Sequence, residues 1–384
     1  MNLYELLQHI SVPRPNHSDS LAKIAKYLQD TLAQHDIPFA IQNVLIYPYK
    51  MLIVGLICFI FALIFAWCVK KQKSIGALLS LLAIPLILIF EFELVTPIVS
   101  WIIPKESANI IVNFNNPEAT RTLILIAHYD SKTDIFDHIQ RAKIYQFIVS
   151  SIAIGLLVVL IMALSKKFSQ LLKPVIKRAV LVLVLLFVFE WLMVAIAMGG
   201  FIFVKQQSYG SIDNASSVAA LMGLAHNIQQ KKVFNKSLNI AIVFTTAEEI
   251  NMQGAKYYVN DLVKRKKGQN FYAINVELAG EPGNMVYYTK SGVMLGWYPA
   301  DSHLAKKISD ACYNVSKRHI QAMPKITDDS IMFAKAGIPV VTIGFANEAY
   351  SVSGLHSTRD NLQRVSMENI YTMIKTLGAV IQNF

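Results

Sequence analysis

The chain has 384 residues, 54% of them hydrophobic and only 16% charged, with a formal net charge of +11. That length holds one large α/β domain or two smaller ones, and the apolar excess argues against a purely water-soluble enzyme. Cys58, Cys68 and Cys312 have neither the number of a disulfide framework nor the spacing of a zinc-thiolate site.

The N-terminus has no apolar core of the kind a cleavable signal needs. Instead, a turn through Pro13 and Pro15 leads to Ser18, Asp19 and Ser20, which cap a helix with apolar residues Leu21, Ile24, Leu28 and Leu32 at helical spacing. The apolar excess then collects in four stretches, 51–69, 75–103, 144–164 and 179–203. Each reaches the roughly 20 residues that cross a bilayer core. They pair into two hairpins. Lys70, Lys71 and Lys73 fill the turn of the first, and Lys166, Lys167, Lys173, Lys177 and Arg178 that of the second. Short basic loops stay cytoplasmic, which puts the polar parts of the chain on the non-cytoplasmic side. Much of the positive charge is thereby assigned to a membrane surface. The basic run 264–267 reads as a solvated loop, and no nucleic-acid partner is expected.

Between the hairpins, 109–114 and 122–127 are short β-branched runs that read as adjacent buried strands. After the second hairpin, helices are expected at 216–229, 253–264, 302–318 and 366–381, alternating with strands at 238–245, 271–277 and 339–345. This alternation predicts an α/β fold with a mostly parallel central sheet and helices on both faces, interrupted by two transmembrane helical hairpins. The expected segments are 1–50, the N-terminal part of the polar domain; 51–103, the first hairpin; 104–143, strands with the first polar motif; 144–204, the second hairpin; and 205–384, the main part of the domain.

Polar groups cluster where the expected strands end: His128, Tyr129 and Asp130 after TLILIA; Glu248 and Glu249 after NIAIVFTTA; Glu277 closing FYAINVE; and His356 in a loop after PVVTIGF. Asp213 to Ser216 open a helix. In open α/β sheets the functional crevice lies beyond the carboxyl ends of the strands, where these side chains can converge. Each has an ordinary reading alone: a hydrogen-bonded histidine, a helix-capping aspartate, solvated glutamates. Together, two imidazoles and several carboxylates suit zinc.

The ordered set HYDS at 128–131, DNAS at 213–216, AEE at 247–249, NVE at 275–277 and LHSTRDNL at 355–362 resembles the co-catalytic zinc exopeptidases of the aminopeptidase Y type. That family, of metallopeptidase clan MH, also includes glutamate carboxypeptidase and glutaminyl cyclase. PRPNHSDS near the N-terminus and TDDSIMFAKAGIPVV at 327–341 add to the match. The resemblance covers nearly all of the chain outside the hairpins.

It implies two zinc ions per chain. His128 and Glu277 would be terminal ligands of one and Glu249 and His356 of the other, with Asp213 as the bridge. Glu248 would be the general base, Asp130 would orient His128, and the bond from Asp213 to Asn214 would be cis. The implied substrate is a peptide with a free N-terminus. The sequence departs from the family's pattern in having Glu277 where many members have Asp, DNASS for the commoner DNASG, and a long interval from His128 to Asp213 that holds the second hairpin. An S1 pocket is expected near 347–355 and Asn275.

Alternatives stay open: an inactive scaffold or receptor on the same fold, glutaminyl cyclase, or a carboxypeptidase, for which Arg359 is the nearest guanidinium by sequence. A transporter is disfavoured, since the hairpins carry few polar groups. Among those few, Glu190 is expected to face the other hairpin or a wet cleft, because a carboxylate in lipid is costly.

Overall fold

The computed structural model describes residues 1–164, 173–205, 207–233, 235–265, 270–347 and 354–384. In chain order its elements are α1 (Leu3–Ile10), α2 (Asp19–Gln34), β1 (Phe39–Ile46), α3 (Lys50–Lys70), α4 (Ser74–Leu88), β2 (Lys105–Phe114), β3 (Arg121–His128), α5 (His138–Leu164), α6 (Lys173–Gly199) and α7 (Ser216–Gln229). There follow β4 (Leu238–Thr245), α8 (Gln253–Arg265), β5 (Asn270–Val276), β6 (Asn284–Tyr288), β7 (Lys290–Gly292), β8 (Trp297–Pro299), α9 (Ser302–Ser316), β9 (Gln321–Met323), α10 (Ser330–Lys335), β10 (Val340–Ala346) and α11 (Met367–Gln382). Two compact units result. One comprises Met1–Pro48, Pro104–Thr133 and Gln206–Phe384, the other Tyr49–Ile103 and Asp134–Lys205.

The first unit is built on an eight-stranded sheet in the order β1-β2-β4-β3-β5-β10-β6-β9. The sheet is mixed and mostly parallel: β4, β3, β5 and β10 run parallel to one another, while β1 with β2, β2 with β4, and β10 with β6 are antiparallel. The four parallel strands therefore end on one edge, and that edge receives the polar motifs. The runs at 109–114 and 122–127 are both strands, but β4 lies between them. Its side chains are buried on both faces, which demands a neighbour on either side, whereas β2 is only half-buried and sits nearer the rim.

Helix α7 brings Val218, Leu221, Leu224 and Ala225 into the same core as Leu123 and Leu125 of β3 and Phe244 of β4. It packs with α1 and α11, and α11 with α9; α8 and α10 form a second group, in contact with β1 and β10 respectively. The strand β1, the short strands β6 and β9, and α10 have no counterpart among the sequence expectations.

Both interruptions of this unit close on themselves. Ile46 at the end of β1 is paired with Lys105 at the start of β2, so the first interruption occupies the place of a β-hairpin turn. Across the second, the Ser208 amide donates to Thr133 Oγ1 at 2.9 Å.

In the second unit, Lys50–Lys70, Ser74–Glu93, Ile139–Leu164 and Lys173–Phe203 are helices long and apolar enough to cross a membrane. Leucine, valine and isoleucine side chains such as Ile75, Leu79, Val149, Val182 and Leu185 stand exposed on them. The turn of the second hairpin, 165–172, lies outside the described residues, as does half of the basic run 264–267.

The apolar stretch 75–103 outlasts its helix. Beyond a π turn at Ile89–Glu93 the chain leaves the helix, because Glu91 Oε1 accepts the amides of Ile98, Val99 and Ser100 at 2.7, 2.8 and 3.1 Å. The Glu91 carboxylate pairs in turn with the buried Lys50 ammonium at 3.3 Å. Glu190 accepts from Ser150 Oγ at 2.9 Å. That partner belongs to α5 of its own hairpin, where the expectation was the other hairpin or a wet cleft.

Candidate metal centre

Each polar motif is placed by the strand that precedes it. His128 is the last residue of β3, and Glu277 follows β5 directly. Glu248 and Glu249 follow β4 after Ala247, whose positive φ of 58° turns the chain away from the sheet. His356 lies in the loop beyond β10, and Asp213 lies in a non-helical kink, joined by a cis peptide bond to Asn214, just before α7.

These side chains converge. His128 Nε2 is 3.1 Å from Asp213 Oδ1, 3.5 Å from Glu277 Oε2 and 3.9 Å from Glu248 Oε2. His356 Nε2 is 3.2 Å from Asp213 Oδ2 and 3.0 Å from Glu249 Oε1. Two donor groups follow, His128 with Asp213 and Glu277, and Asp213 with Glu249 and His356, each with its atoms within 4.8 Å of one another. Asp213 belongs to both and turns one oxygen to each.

The surrounding charge is unbalanced. Burial and the neighbouring carboxylates Glu249, Asp329 and Glu277 hold the Glu248 carboxyl well above the ordinary range, although His128 pulls the other way. Burial likewise pushes Glu277 up to about 7 against the pull of His128. Burial opposes charge on His128, but Glu277, Asp130 and Asp213 outweigh it and raise the imidazole well above its usual value. Asp213 would also be raised by burial, yet contacts from both imidazoles hold it well below the carboxylate range.

The donor set fits a pair of metal ions. Glu249 Oε1 is buried without a hydrogen-bond partner although it lies 3.0 Å from an imidazole nitrogen. Lone pairs directed at a common point, and carboxylates held above their ordinary range by one another, are what a cation would relieve.

A second layer of contacts holds these groups. Asp130, fully buried, accepts from Asn16 Nδ2 at 2.7 Å and from the amides of Glu248 and Glu249 at 3.2 and 3.1 Å, tying the end of β3 to the end of β4. Its Oδ1 is 3.4 Å from His128 Nδ1, and its own carbonyl is nearer, at 3.2 Å. Carbonyl and carboxylate together face the nitrogen that does not point at the cluster, which fixes the ring. Glu277 is held by two amides, Asn214 Nδ2 at 2.7 Å and Asn275 Nδ2 at 3.0 Å. Asn275 is therefore a clamp on Glu277 and not the pocket wall expected of it. Of the remaining expected pocket, 348–353 lies outside the described residues, while Asn347 lines a cavity of about 420 Å³.

Three contributors escape a reading confined to ligands. Arg14, buried between prolines, donates to the carbonyls of Ile10, Val12, Tyr129, Tyr209 and Gly210, clasping the N-terminus, the first motif and the approach to Asp213. Burial lowers its pKa to about 10 against the pull of Asp360, Asp130 and Asp213. Asp360 accepts the amides of Ile212 and Asp213 at 2.7 and 3.3 Å. Asp329 accepts from Thr245 Oγ1 at 2.5 Å, and its other oxygen is buried without a hydrogen-bond partner. The only signal for them in the sequence is their position inside PRPNHSDS, LHSTRDNL and TDDS.

No sequence among curated proteins matches this chain. Among solved structures, a leucine aminopeptidase precursor from Bacteroides thetaiotaomicron VPI-5482 superposes with a TM-score of 0.56 at 14% identity, covering 100% of this chain and 97% of its own. A Zn-dependent exopeptidase from Parabacteroides distasonis ATCC 8503 gives 0.57 at 15% identity, covering 100% and 98%. A Bacteroides thetaiotaomicron glutaminyl cyclase, bound to N-acetylhistamine, gives 0.55 at 15% identity, covering 100% and 98%. At such identities the likeness is one of fold, and it is shared by peptidase and cyclase alike. The family pattern described as Peptidase family M28 matches residues 197–381, a span that holds Asp213, Glu248, Glu249, Glu277 and His356. Residues 197–381 thus match the pattern of Peptidase family M28, and the chain has the fold of the zinc exopeptidases.

Proposed function

We propose that the protein is a membrane-anchored, two-zinc exopeptidase that removes residues from the free N-termini of peptides. The observation that carries this reading is the position of Asp213, with one oxygen 3.1 Å from His128 and the other 3.2 Å from His356. A carboxylate so placed would hold two metals together, His128 and Glu277 completing the donors for one and Glu249 and His356 those for the other. Zinc, when bound there, supplies Lewis acidity toward the scissile carbonyl and lowers the pKa of water toward about 7.

The chain's own residues do the rest. Glu248, with a carboxyl held above its ordinary range by burial, takes a proton from the attacking water and delivers it to the leaving amine as the C–N bond breaks. Asp130 holds His128 in orientation and, through the amides of Glu248 and Glu249, sets base and ligand in register. Asn214 and Asn275 fix Glu277. The apolar helices of the second unit serve as four membrane-spanning anchors, with both basic turns cytoplasmic and the peptidase unit on the other side.

The test is zinc content of the detergent-purified protein together with hydrolysis of an aminoacyl fluorogenic panel, with Glu248→Gln as control. About two zinc ions per chain, and activity abolished by Glu248→Gln with metal retained, are expected. Failure to take up zinc after reconstitution would favour the inactive scaffold. One zinc per chain with cyclisation of N-terminal glutamine would favour the cyclase. Two zincs with release of C-terminal residues only would favour the carboxypeptidase.

A further inference from the structure

Glu277 and His356 belong to different donor groups of the centre, and the chain beyond one is tied to the chain beyond the other. Arg364 Nη2 lies 3.0 Å from each oxygen of Glu281. The Ser366 amide donates to the Gly280 carbonyl at 2.8 Å, and Asn369 Nδ2 to the Glu281 carbonyl at 2.7 Å. Ile212, Leu278 and Leu355, each next in sequence to a donor, form one apolar cluster against which Val365 packs.

The two sides of this seam are not equally firm. Glu277 follows β5 directly and is held by the amides of Asn214 and Asn275. His356 stands in a loop whose only helical turn among the described residues is Leu362–Arg364, and its φ is +60°. A left-handed backbone disfavours a residue with a Cβ and persists only where the surroundings hold it. Arg364 reaches the chain on both sides of His356. Gly354, at φ of +102°, is packed so closely that a Cβ there would stand 2.8 Å from Arg364 Nη1, and the same nitrogen lies 3.5 Å from the Arg359 carbonyl. A guanidinium that meets a carboxylate through two parallel bonds is fixed in direction as well as distance. The Glu281 side chain is only 6% exposed, so this end of the pair is shielded from water and salt.

We infer that Arg364 is a positioning residue for one metal of the pair: anchored on Glu281, it holds the chain at 354–359 so that His356 Nε2 stays 3.2 Å from Asp213 and 3.0 Å from Glu249. The inference rests on the two-metal reading and deepens it, because the two donor groups then depend unequally on this contact. His128, Asp213 and Glu277 keep their supports without Arg364. The group of Asp213, Glu249 and His356 loses one.

The test reads metal affinity, not hydrolysis. Full-length, metal-free protein in detergent is titrated with zinc against a chromophoric chelator, for the parent and for Arg364→Gln, Glu281→Gln, Arg364→Lys and His356→Ala. Arg364→Gln should weaken one of the two zinc ions by about 10–100-fold, as for groups that orient a metal-binding side chain, and leave the other within about threefold of the parent. Glu281→Gln should do the same from the other partner. Arg364→Lys, which keeps the charge but not the fork, should recover part of the loss. The zinc that remains in His356→Ala identifies which ion is affected, and Arg364→Gln added to that variant should change its affinity no further. If Arg364→Gln does not fold, Glu281→Gln and Arg364→Lys carry the same comparison. A general loss of structure would weaken both ions together. Equal weakening of both, or of neither, overturns the inference and leaves the two-metal reading standing. A parent that takes up fewer than two zinc ions ends the two-metal reading, and the inference with it.

Discussion

Asp130→Asn should loosen metal binding without emptying the fold. The substitution keeps the shape of a fully buried side chain that accepts three hydrogen bonds, from Asn16 Nδ2 at 2.7 Å and from the amides of Glu249 and Glu248 at 3.1 and 3.2 Å. An asparagine presents one acceptor oxygen, so the NH₂ must face either the Glu248 amide, which Oδ1 accepts, or the Glu249 amide together with Asn16 Nδ2, which Oδ2 accepts, donor against donor. The lesser loss is the single Glu248 amide contact. A hydrogen bond to a charged acceptor contributes about 1.5–3 kcal/mol, and a buried donor left unpaired costs about 1–3 kcal/mol. The expected destabilisation is therefore roughly 3–5 kcal/mol, survivable for a domain of typical stability near 5–15 kcal/mol. The carboxylate 3.4 Å from His128 Nδ1 is lost at the same time. Groups that orient a metal-binding imidazole are worth about 10–100-fold in metal affinity. Zinc affinity is read by competition with a chromophoric chelator, and stability by thermal melting of metal-free protein. Asn16→Ala, which removes one hydrogen bond to this carboxylate but keeps the charge, should reproduce part of the stability loss and little of the affinity loss. A zinc affinity within twofold of the parent in Asp130→Asn, with the melt lowered as expected, would refute the orienting role.

Three further outcomes are expected. Gly210→Ala places a Cβ 2.6 Å from Ser131 Cβ and 2.7 Å from the Asp213 carbonyl at φ of +57°, so it should cost at least the 1–2 kcal/mol of a left-handed residue and lower zinc occupancy, measured by elemental analysis. Lys50→Met strips the buried Glu91 of its cation; removal of one partner of such a pair costs about 3–5 kcal/mol, read as earlier unfolding in detergent, and an unchanged transition would contradict the buried pairing. Glu277 and Asp360, both pushed up to about 7 chiefly by burial, bind their protons more tightly folded than unfolded. The stability they contribute to metal-free protein is complete below about pH 4 and is lost as pH rises through 7. Its melting temperature should accordingly fall from pH 5 to pH 8, while the stabilisation by zinc grows; a metal-free melt that rises over this interval would be the contrary result.

The parts of the fold legible in the sequence are those whose environment is uniform along the element. β3, β4, β5 and β10 are buried along most of their length, and their β-branched runs announce them; α7, α9 and α11 carry long apolar periodicities. β1 is hidden because its burial alternates imperfectly and an apolar stretch follows almost at once. β6 and β9 are short strands at the rim, held by neighbours and not by composition. The neighbour relation of β2 and β3 was misleading for a related reason, since nearness in sequence says nothing of a strand that enters between them from residue 238 onward. At 75–103 hydropathy cannot register that Glu91 turns the chain out of its helix by accepting three amides further along.

At the metal centre the motifs supply the residues that meet, but not those that make them meet. His128, Asp213, Glu249, Glu277 and His356 stand at strand ends or before a helix, where spacing and chemistry identify them as a set. Arg14 and Asn16 act on carbonyl and carboxylate groups more than a hundred positions away, and their side chains alone look like ordinary turn residues. Asn275 is expected at a pocket wall; its amide donates to Glu277. A buried carboxylate near another needs a donor, and the nearest residue on the strand supplies it.

The long interval between His128 and Asp213, which departs from the usual family spacing, is reconciled with the cluster by how the first unit closes around it. Loop closure grows with only the logarithm of length, so replacing a tight turn between β1 and β2 by residues 47–104 adds only about 2–3 kcal/mol if the insert is treated as a flexible chain. The insert is helical and its ends are fixed, so the entropic penalty is smaller still. What matters is that the ends meet, and they do: Ile46 pairs with Lys105 in the sheet, and Thr133 holds Ser208 at 2.9 Å. Both contacts need each insertion to leave and return at one place, which a pair of antiparallel helices satisfies and a single helix does not. The second closure also lies between the motif of His128 and that of Asp213, with Ser131 and Gly210 packed together beside it and Arg14 bonded to the carbonyls of Tyr129 and Gly210. The clasp that lets the chain depart and return is thus the same set of residues that brings His128 within 3.1 Å of Asp213. An insertion at this point is tolerated because the donor geometry is fixed on the near side of it, by Arg14, and does not depend on the length of chain beyond.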